Sequence, residues 1–140
     1  MNCNLASPRG HHHIIVAIDY FTEGAEAMPT IKSDDETVMH FVFNQIITRF
    51  GIPNELVIDH GRHFQNQMME ELASKLGYKQ VRSSSYYPQL NGQVEAVNKS
   101  LKSILQRTIA QRKTNWHIML YPALWDYRTT IKTATGFSPY

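Results

Sequence analysis

The stretch that decides the fold class runs from Ser33 to Ile58 and reads SDDETVMHFVFNQIITRFGIPNELVI. Its first part predicts a helix from about Asp34 to Arg49, because apolar residues recur at helical spacing after a capping box at Ser33. The break at 51–53, Gly-Ile-Pro, ends that helix. The run from Glu55 to Ile58 then predicts a strand. The helix residues predicted to be buried are Val38, Phe41, Val42 and Ile46.

Towards the N-terminus the chain predicts two strands. Ile14 to Ile18 is a continuous apolar run rich in β-branched residues, and a second short strand from about Ala25 to Thr30 follows a break at Gly24. Residues 1–9 show no periodicity and are predicted to be a disordered end. We expect residues 10–140 to form one domain, since the chain has 140 residues of which 42% are hydrophobic.

Beyond Ile58 the pattern predicts three more helices and one more strand. A helix from about Asn66 to Leu76 would bury Met68, Leu72 and Leu76 and end at Gly77, and Tyr78 to Arg82 would form a strand. The segment from Ser83 to Gly92 reads as a loop, followed by helices from about Gln93 to Arg112 and from Trp116 to Tyr127. The order β, β, α, β, α, β, α, α predicts an α/β fold, a mixed sheet flanked by helices.

Composition excludes several classes of protein. No apolar run approaches the roughly 20 residues that a membrane span needs, so we expect no membrane partner. The chain carries no targeting signal. The single Cys3 excludes an internal disulfide and a cysteine zinc site.

Charge is sorted along the chain although the formal net charge is only +2. Residues 19–71 contain ten acids and three bases, whereas residues 75–113 contain eight bases and one acid, Glu95. Such a basic stretch can be an ordinary solvated surface. Because it surrounds a candidate site, we favour a nucleic-acid footprint and predict DNA as a partner.

Asp59 and Glu95 are the candidate catalytic and metal-binding residues. Asp59 closes the apolar strand at Ile58, where ligands gather at the carboxyl ends of sheet strands, although an Asp before a Gly is also a common turn residue. Glu95 follows after 35 intervening residues, at the start of an amphipathic helix. Two carboxylates held a few ångströms apart are tolerated mainly around a divalent cation, so the pair predicts half of a site for Mg²⁺ or Mn²⁺.

The helix that carries Glu95 has two stripes. The side predicted to be buried consists of Val94, Val97, Leu101, Ile104, Leu105 and Ile109. The other side aligns Glu95 with Asn98, Lys99, Lys102 and Gln106. An i,i+4 pair of Glu95 and Lys99 on a plain surface helix would explain part of this pattern at a few tenths of a kcal/mol. The spacing of 35 residues between Asp59 and Glu95 along the chain favours the functional interpretation.

The predicted loop before this helix suits DNA. Gln89 and Asn91 offer amide groups to phosphates and bases, and we predict that both bind DNA. For Tyr86 and Tyr87, base stacking and ordinary packing stay open as alternatives.

Other conspicuous residues have ordinary explanations. The run His11-His12-His13 alternates between the two faces of a strand, which argues against a metal cluster. His60 and His63 read as polar loop residues. The aromatic residues Trp116, Trp125 and Tyr127 indicate core or a subunit interface.

Five segments in order resemble the catalytic core of integrases from long-terminal-repeat (gypsy-type) retrotransposons, within the retroviral integrase superfamily. They are IIVAIDYFTEGAEAMP (14–29), TRFGIP (48–53), IDHGRHF (58–64), YYPQLNGQVEAVNKSLK (86–102) and LWDYRTTIKTATGFSPY (124–140). The resemblance implies a ribonuclease-H-like fold, a homo-oligomer, nuclear localisation, and DNA integration by end trimming and strand transfer. It also implies that Asp59 and Glu95 are the second and third carboxylates of a metal-binding Asp, Asp, Glu set, and that Asn98, Lys99 and Lys102 brace the helix and contact DNA.

This chain differs from the family pattern at the first carboxylate of that set. In the family it lies on a strand before the one at Ile14, and residues 1–9 of this chain contain no acid. The resemblance therefore predicts a fold whose first strand is truncated, and a DNA-integrating polynucleotidyl transferase that is impaired. Asp19 is a candidate for a substitute carboxylate, and whether it can take that role stays open. The alternatives are a catalytically inactive remnant that binds DNA or a partner, and a stand-alone nuclease of the same fold.

Overall fold

The structure, a computed structural model, describes residues 10–58, 66–82, 88–112, 116–130 and 136–138. Within these ranges the side chains of residues 88–91, 94, 105, 108–112 and 116 lie outside the description. Backbone contacts divide the chain into two compact units, Met1–Ile31 with Gln89–Tyr140, and Lys32–Pro88. The prediction of a single domain over 10–140 stays a prediction.

The first unit contains a β-hairpin. Strands β1 (His13–Ile18) and β2 (Ala25–Thr30) pair antiparallel, with His13 opposite Thr30 and Ile18 opposite Ala25. Both strands were predicted from their apolar runs and are confirmed. Glu23 in the connecting turn adopts a positive φ of 59°. That conformation is uncommon for a residue with a side chain, and it lets the chain reverse over a few residues.

Two long helices complete this unit, α4 (Pro88–Arg112) and α5 (Trp116–Thr129). Their apolar faces and the hairpin share one core, in which Leu101 and Leu120 are fully buried. The buried members of this core are Ile14, Ala25, Ala27, Val97, Leu101, Leu120, Ala123, Leu124 and Tyr127. The core lies between the hairpin and one face of α4, so the opposite face of that helix is left for solvent.

Helix α4 begins five residues before the predicted start at Gln93, so the predicted loop from Ser83 to Gly92 is wrong from Pro88 onward. The Asn-Gly pair at 91–92 looked like a loop signal. Pro88, however, suits the first helical position, where its missing N–H has no intrahelical partner to lose. The remainder of the predicted loop, residues 83–87, lies outside the described residues.

The second unit opens with one continuous helical stretch, formed by α1 (Asp35–Phe41), a π-helical segment (Val42–Ile47) and α2 (Thr48–Phe50). Val38, Phe41 and Val42 are buried as predicted, and Ile46 is half-buried. The predicted cap at Ser33 is wrong by one residue, because the Asp34 carboxylate accepts the Thr37 backbone N–H at 2.9 Å. That bond satisfies one of the unpaired amides of the first turn.

A β–α–β unit follows. Strands β3 (Glu55–Ile58) and β4 (Lys79–Arg82) pair parallel, and the intervening chain includes α3 (Gln67–Leu76). Gly77 ends α3 in the left-handed conformation with φ 77°, as a helix-terminating glycine does.

The predicted buried stripe of α3 is rotated by one residue. Met69 and Ala73 are its buried residues, Leu72 and Leu76 are half-buried, and Met68 is exposed. The Asn66 side chain caps the helix through the Met69 backbone N–H at 2.8 Å. The cap fixes where the helix starts.

Parallel and antiparallel strand pairs therefore occur together with flanking helices, and the molecule is a mixed α/β protein. Within the described ranges, no helix combines the length and the apolar character needed to cross a bilayer.

Candidate functional site

Helix α4 places Glu95 on an exposed, basic face. Val97 and Leu101 are buried in the shared core and Ile104 is half-buried, while Glu95, Lys99, Lys102 and Gln106 are exposed. The two predicted stripes are therefore confirmed at the described side chains. Val94, Leu105 and Ile109, predicted to be buried, have side chains outside the description.

Asn98 lies at the border between the two faces. Its side chain is half-buried, and its Oδ1 is buried with no hydrogen-bond partner among the described residues. Burying an amide oxygen without a partner costs roughly 1–3 kcal/mol, so this position is expensive for a purely structural residue. The prediction that Asn98 binds DNA or braces the helix stays untested.

Several predicted site residues cannot be placed completely. Asp59 follows the buried Ile58 at the end of β3 but lies outside the described residues, as do His60, His63, Tyr86 and Tyr87. Its predicted approach to Glu95 therefore stays a prediction. The backbones of Gln89 and Asn91 lie in the first turns of α4 rather than in a loop, and their side chains lie outside the description. If these amides bind DNA, they do so from a helix.

Asp19 organises the hairpin turn. Its carboxylate Oδ1 accepts the backbone N–H groups of Phe21 and Thr22, both at 2.9 Å. Its own N–H donates to the Gly24 carbonyl and its carbonyl accepts the Glu23 N–H, both at 2.8 Å. Asp19, the predicted candidate for a substitute carboxylate, thus already has a local structural role.

Hydrogen bonds join the hairpin to both long helices, and sequence patterns predicted neither bond. Gln93 on α4 donates from Nε2 to the Tyr20 carbonyl at 3.4 Å. On α5, Tyr127 donates its hydroxyl to the Glu23 carbonyl at 3.0 Å. Burial, with a smaller contribution from the charge of Glu23, raises the pKa of Tyr127 to about 12.

A buried ion pair adds to this connection. Arg128 on α5 contacts the Glu26 carboxylate at 2.6 Å and donates from Nε to the Ala25 carbonyl at 3.1 Å. The two side chains are only 17% and 11% exposed. Partners about 100 residues apart leave no local sequence pattern, which is why the pair escaped prediction.

Of the run His11-His12-His13, only His13 lies in strand β1. The ring of His11 stacks on His117 of α5 with centroids 4.7 Å apart, and His12 contacts His13 edge-on. In the ranges that the structure covers, no group of three or more His, Cys, Asp or Glu side chains could hold a metal ion. Of the aromatic residues assigned to core or interface, Tyr127 is core, whereas Trp125 is 60% exposed.

The donor chemistry of the candidate site fits a hard divalent cation. Mg²⁺ and Mn²⁺ take carboxylate oxygens, and Mg²⁺ retains several waters, so a few acids suffice to hold it. Glu95 lies exposed on a packed helix that also carries Lys99 and Lys102, and its carboxylate is chemically suited to offer such an oxygen. The predicted second ligand, Asp59, lies outside the described residues.

Comparison with known proteins gives one family. The family described as "Integrase core domain" matches residues 2–88. The Pol polyprotein of Radiation murine leukemia virus (strain Kaplan) is 33% identical over 132 residues, 94% of this chain and 22% of that protein. The Gag-Pol polyprotein of Woolly monkey sarcoma virus is 34% identical over 132 residues, 94% of this chain and 8% of that protein. The chain thus spans less than a quarter of either relative.

Solved structures give the fold. The simian T-cell lymphotropic virus intasome in complex with the PP2A regulatory subunit B56 gamma matches with a TM-score of 0.83 and 18% identity, over 96% of this chain and 49% of that one. The HTLV-2 integrase catalytic core domain in complex with magnesium, in a trimeric form, matches with a TM-score of 0.76 and 20% identity, over 90% and 80%. The predicted ribonuclease-H-like α/β fold is confirmed.

Proposed function

The chain belongs to the integrase core domain family, and we propose that it is the catalytic core of a retrotransposon integrase of the gypsy type. The ordered segments in residues 14–29, 48–53, 58–64, 86–102 and 124–140 support this origin. The activity of the intact family would be DNA integration, by metal-dependent end trimming and strand transfer.

We propose that Asp59 and Glu95 form a metal site. We expect their carboxylates to hold Mg²⁺ or Mn²⁺, which supplies charge neutralisation at phosphate when bound. Glu95 is suited to this role because the opposite face of α4 is buried in the core and fixes the helix. A packed helix holds a ligand more precisely than a loop does.

DNA is the proposed partner of the same face. Lys99 and Lys102 project from exposed positions of α4, next to Glu95 and the half-buried Asn98. Ammonium groups bind backbone phosphates as point charges, which gives affinity without sequence preference. Gln89 and Asn91 would add amide contacts from the first turns of the helix.

The single observation that carries this proposal is the split of α4 into a buried apolar face and an exposed face on which one carboxylate, Glu95, is followed by the basic residues Lys99 and Lys102. Its test is the salt dependence of binding to a duplex oligonucleotide. Each neutralised phosphate contributes about 0.9 to the slope of log K against log salt, so Lys99→Ala with Lys102→Ala should lower that slope by about 1–2.

The control for this test is Lys32→Ala, which removes an exposed base outside the basic stretch. It should leave both affinity and slope unchanged. An unchanged slope in the lysine double variant would place the DNA surface elsewhere on the molecule.

We propose that the 140-residue chain by itself is impaired as an enzyme. Two carboxylates leave a shared ion short of ligand charge, and Oδ1 of Asp19 accepts two backbone amides of the hairpin turn. Strand-transfer product made by this chain and lost on Asp59→Asn would contradict the proposal. The alternative is an inactive remnant that binds DNA or a partner, which the same oligonucleotide assays would reveal as binding without product.

Two further proposals follow from family membership. We propose that the chain acts as a homo-oligomer, supported by the trimeric form of the HTLV-2 integrase core. We also propose nuclear localisation, because DNA integration requires access to chromosomal DNA.

A further inference from the structure

The hairpin turn Asp19–Gly24, called here the aromatic tip, exposes two large rings. Tyr20 is 60% exposed and Phe21 is 87% exposed. Asp19 and Glu23 flank these rings, and the tip contains no basic residue. Aromatic faces beside carboxylates are chemically suited to a cationic partner, because the ring quadrupole and the carboxylates both attract ammonium or guanidinium groups.

Hydrogen bonds hold the backbone of the tip, so that backbone would lose little conformational freedom on binding. The Asp19 carboxylate accepts two tip amides, and the Thr22 hydroxyl accepts the Gly24 N–H at 3.2 Å. Gln93 and Tyr127 hold the backbone of the tip from the two helices. Preorganised aromatic side chains are typical anchors of protein interfaces.

A matching cationic surface exists on the same molecule. The lysine face, defined by Lys99 and Lys102 of α4, is exposed. Gln93, which contacts the tip, precedes these lysines by six and nine positions. At about 100° per residue the lysines therefore lie roughly 120° and 180° around the axis from Gln93. The aromatic tip and the lysine face thus lie on different sides of α4. A contact between these two surfaces would therefore join two molecules.

We propose that the aromatic tip of one copy docks on the lysine face of a second copy, so that self-association and DNA compete for the same lysines. The competition rests on the proposed DNA-binding function, whereas the docking does not. A net charge of only +2 opposes such association little. Since tip and lysine face are different surfaces, the contact is heterologous and can extend from copy to copy.

The contact should be weak and salt-sensitive. Exposed cation–π contacts contribute about 0.5–1 kcal/mol each and exposed ion pairs roughly 0–1 kcal/mol. A tip of six residues also buries far less surface than a stable interface requires. Association should therefore appear at high protein concentration and low salt. Short duplex DNA should dissociate the complex, because it competes for the same lysines.

Sedimentation velocity at low salt tests the proposal by complementation. The tip variant, Tyr20→Ser with Phe21→Ser, and the lysine variant, Lys99→Ala with Lys102→Ala, should each be monomeric at concentrations where the unmodified chain associates. An equimolar mixture of the two variants should form a dimer and stop there, because each variant retains the surface that the other lacks.

Two controls isolate the contact. Trp125→Ser removes a ring that is 60% exposed on α5 and should leave association unchanged. Asp19→Asn keeps the acceptor that orders the turn but removes one charge of the tip, so association should weaken without a change in the unfolding midpoint.

The outcomes separate this inference from the proposed function. A chain that is monomeric at all concentrations, a mixture that fails to pair, or association lost with Trp125→Ser would each overturn the docking. A tip variant that loses affinity for DNA would overturn it too, because the rings would then bind bases instead. Association that needs the lysines in a chain that binds no DNA would support the docking while contradicting the proposed function.

Discussion

At the scale of single residues, Asp19 decides how the hairpin turn is built. One carboxylate oxygen accepts two backbone amides of the turn, each at 2.9 Å, and holds them in place of solvent. Asn offers an amide oxygen at the same position, whereas Ala offers none. The geometry of the turn therefore depends on an acceptor at residue 19 and not on its charge.

This dependence predicts different outcomes for two substitutions. Asp19→Asn should change the free energy of unfolding by less than about 0.5 kcal/mol, whereas Asp19→Ala should lower it by about 1 kcal/mol. Urea unfolding followed by circular dichroism would measure both. If Asp19→Asn instead abolished a metal-dependent activity while the fold persisted, Asp19 would be a metal ligand rather than a turn residue.

Tyr127 predicts a dependence of stability on alkaline pH. Burial, and then the charge of Glu23, raises its pKa from 10.0 to about 12 in the folded chain. A raised pKa means that the stabilisation is complete below pH 10 and is lost as the pH rises towards 12. Tyr127→Phe should therefore be less stable than the unmodified chain at pH 8, with the difference shrinking above pH 10. A difference independent of pH would show that the phenol is not held in its neutral form.

At the scale of elements, the Arg128–Glu26 pair joins α5 to β2. Both partners are largely buried, so removing either one leaves the other charge buried without its partner. The cost is about 3–5 kcal/mol before allowance for residual exposure. Glu26→Met and Arg128→Met should each be strongly destabilising, and the double variant should cost clearly less than their sum. Thermal unfolding of the four proteins provides the cycle. Additive losses would mean that the two charges act independently.

Sequence patterns predicted which elements form, because apolar periodicity is local. The strands at 13–18, 25–30 and 55–58 and the buried residues Val97 and Leu101 follow from it directly. Boundaries and helix orientation were less accessible. Pro88 starts α4 inside an expected loop, and α3 buries Met69 rather than Met68. Pro88 suits the first position of a helix in spite of the turn signal at 91–92, whereas the face that α3 buries depends on tertiary packing.

In the candidate site too, features that follow from local spacing could be predicted and contacts that depend on tertiary packing could not. The exposure of Glu95, Lys99 and Lys102 could be predicted, since it follows from the spacing along one helix. The π-helical segment at Val42–Ile47 and the bond from Gln93 to the Tyr20 carbonyl could not. Contacts between distant parts of the chain depend on tertiary packing, and a single sequence records no pairing of that kind.

At the scale of the whole molecule, our central proposal is that Asp59 and Glu95 together hold a divalent cation beside a DNA-binding face. Neither carboxylate alone would retain Mg²⁺ firmly, because the ion keeps most of its own water. Removing either should therefore have nearly the same effect as removing both.

Titration with Mn²⁺, followed by the loss of the free-ion electron paramagnetic resonance signal, tests this claim most directly. The intact chain should bind Mn²⁺, Asp59→Asn and Glu95→Gln should each weaken binding by at least about tenfold, and Asp19→Asn should leave it unchanged. Mn²⁺ bound as tightly by Glu95→Gln as by the intact chain, or bound only while Asp19 is present, would contradict the account.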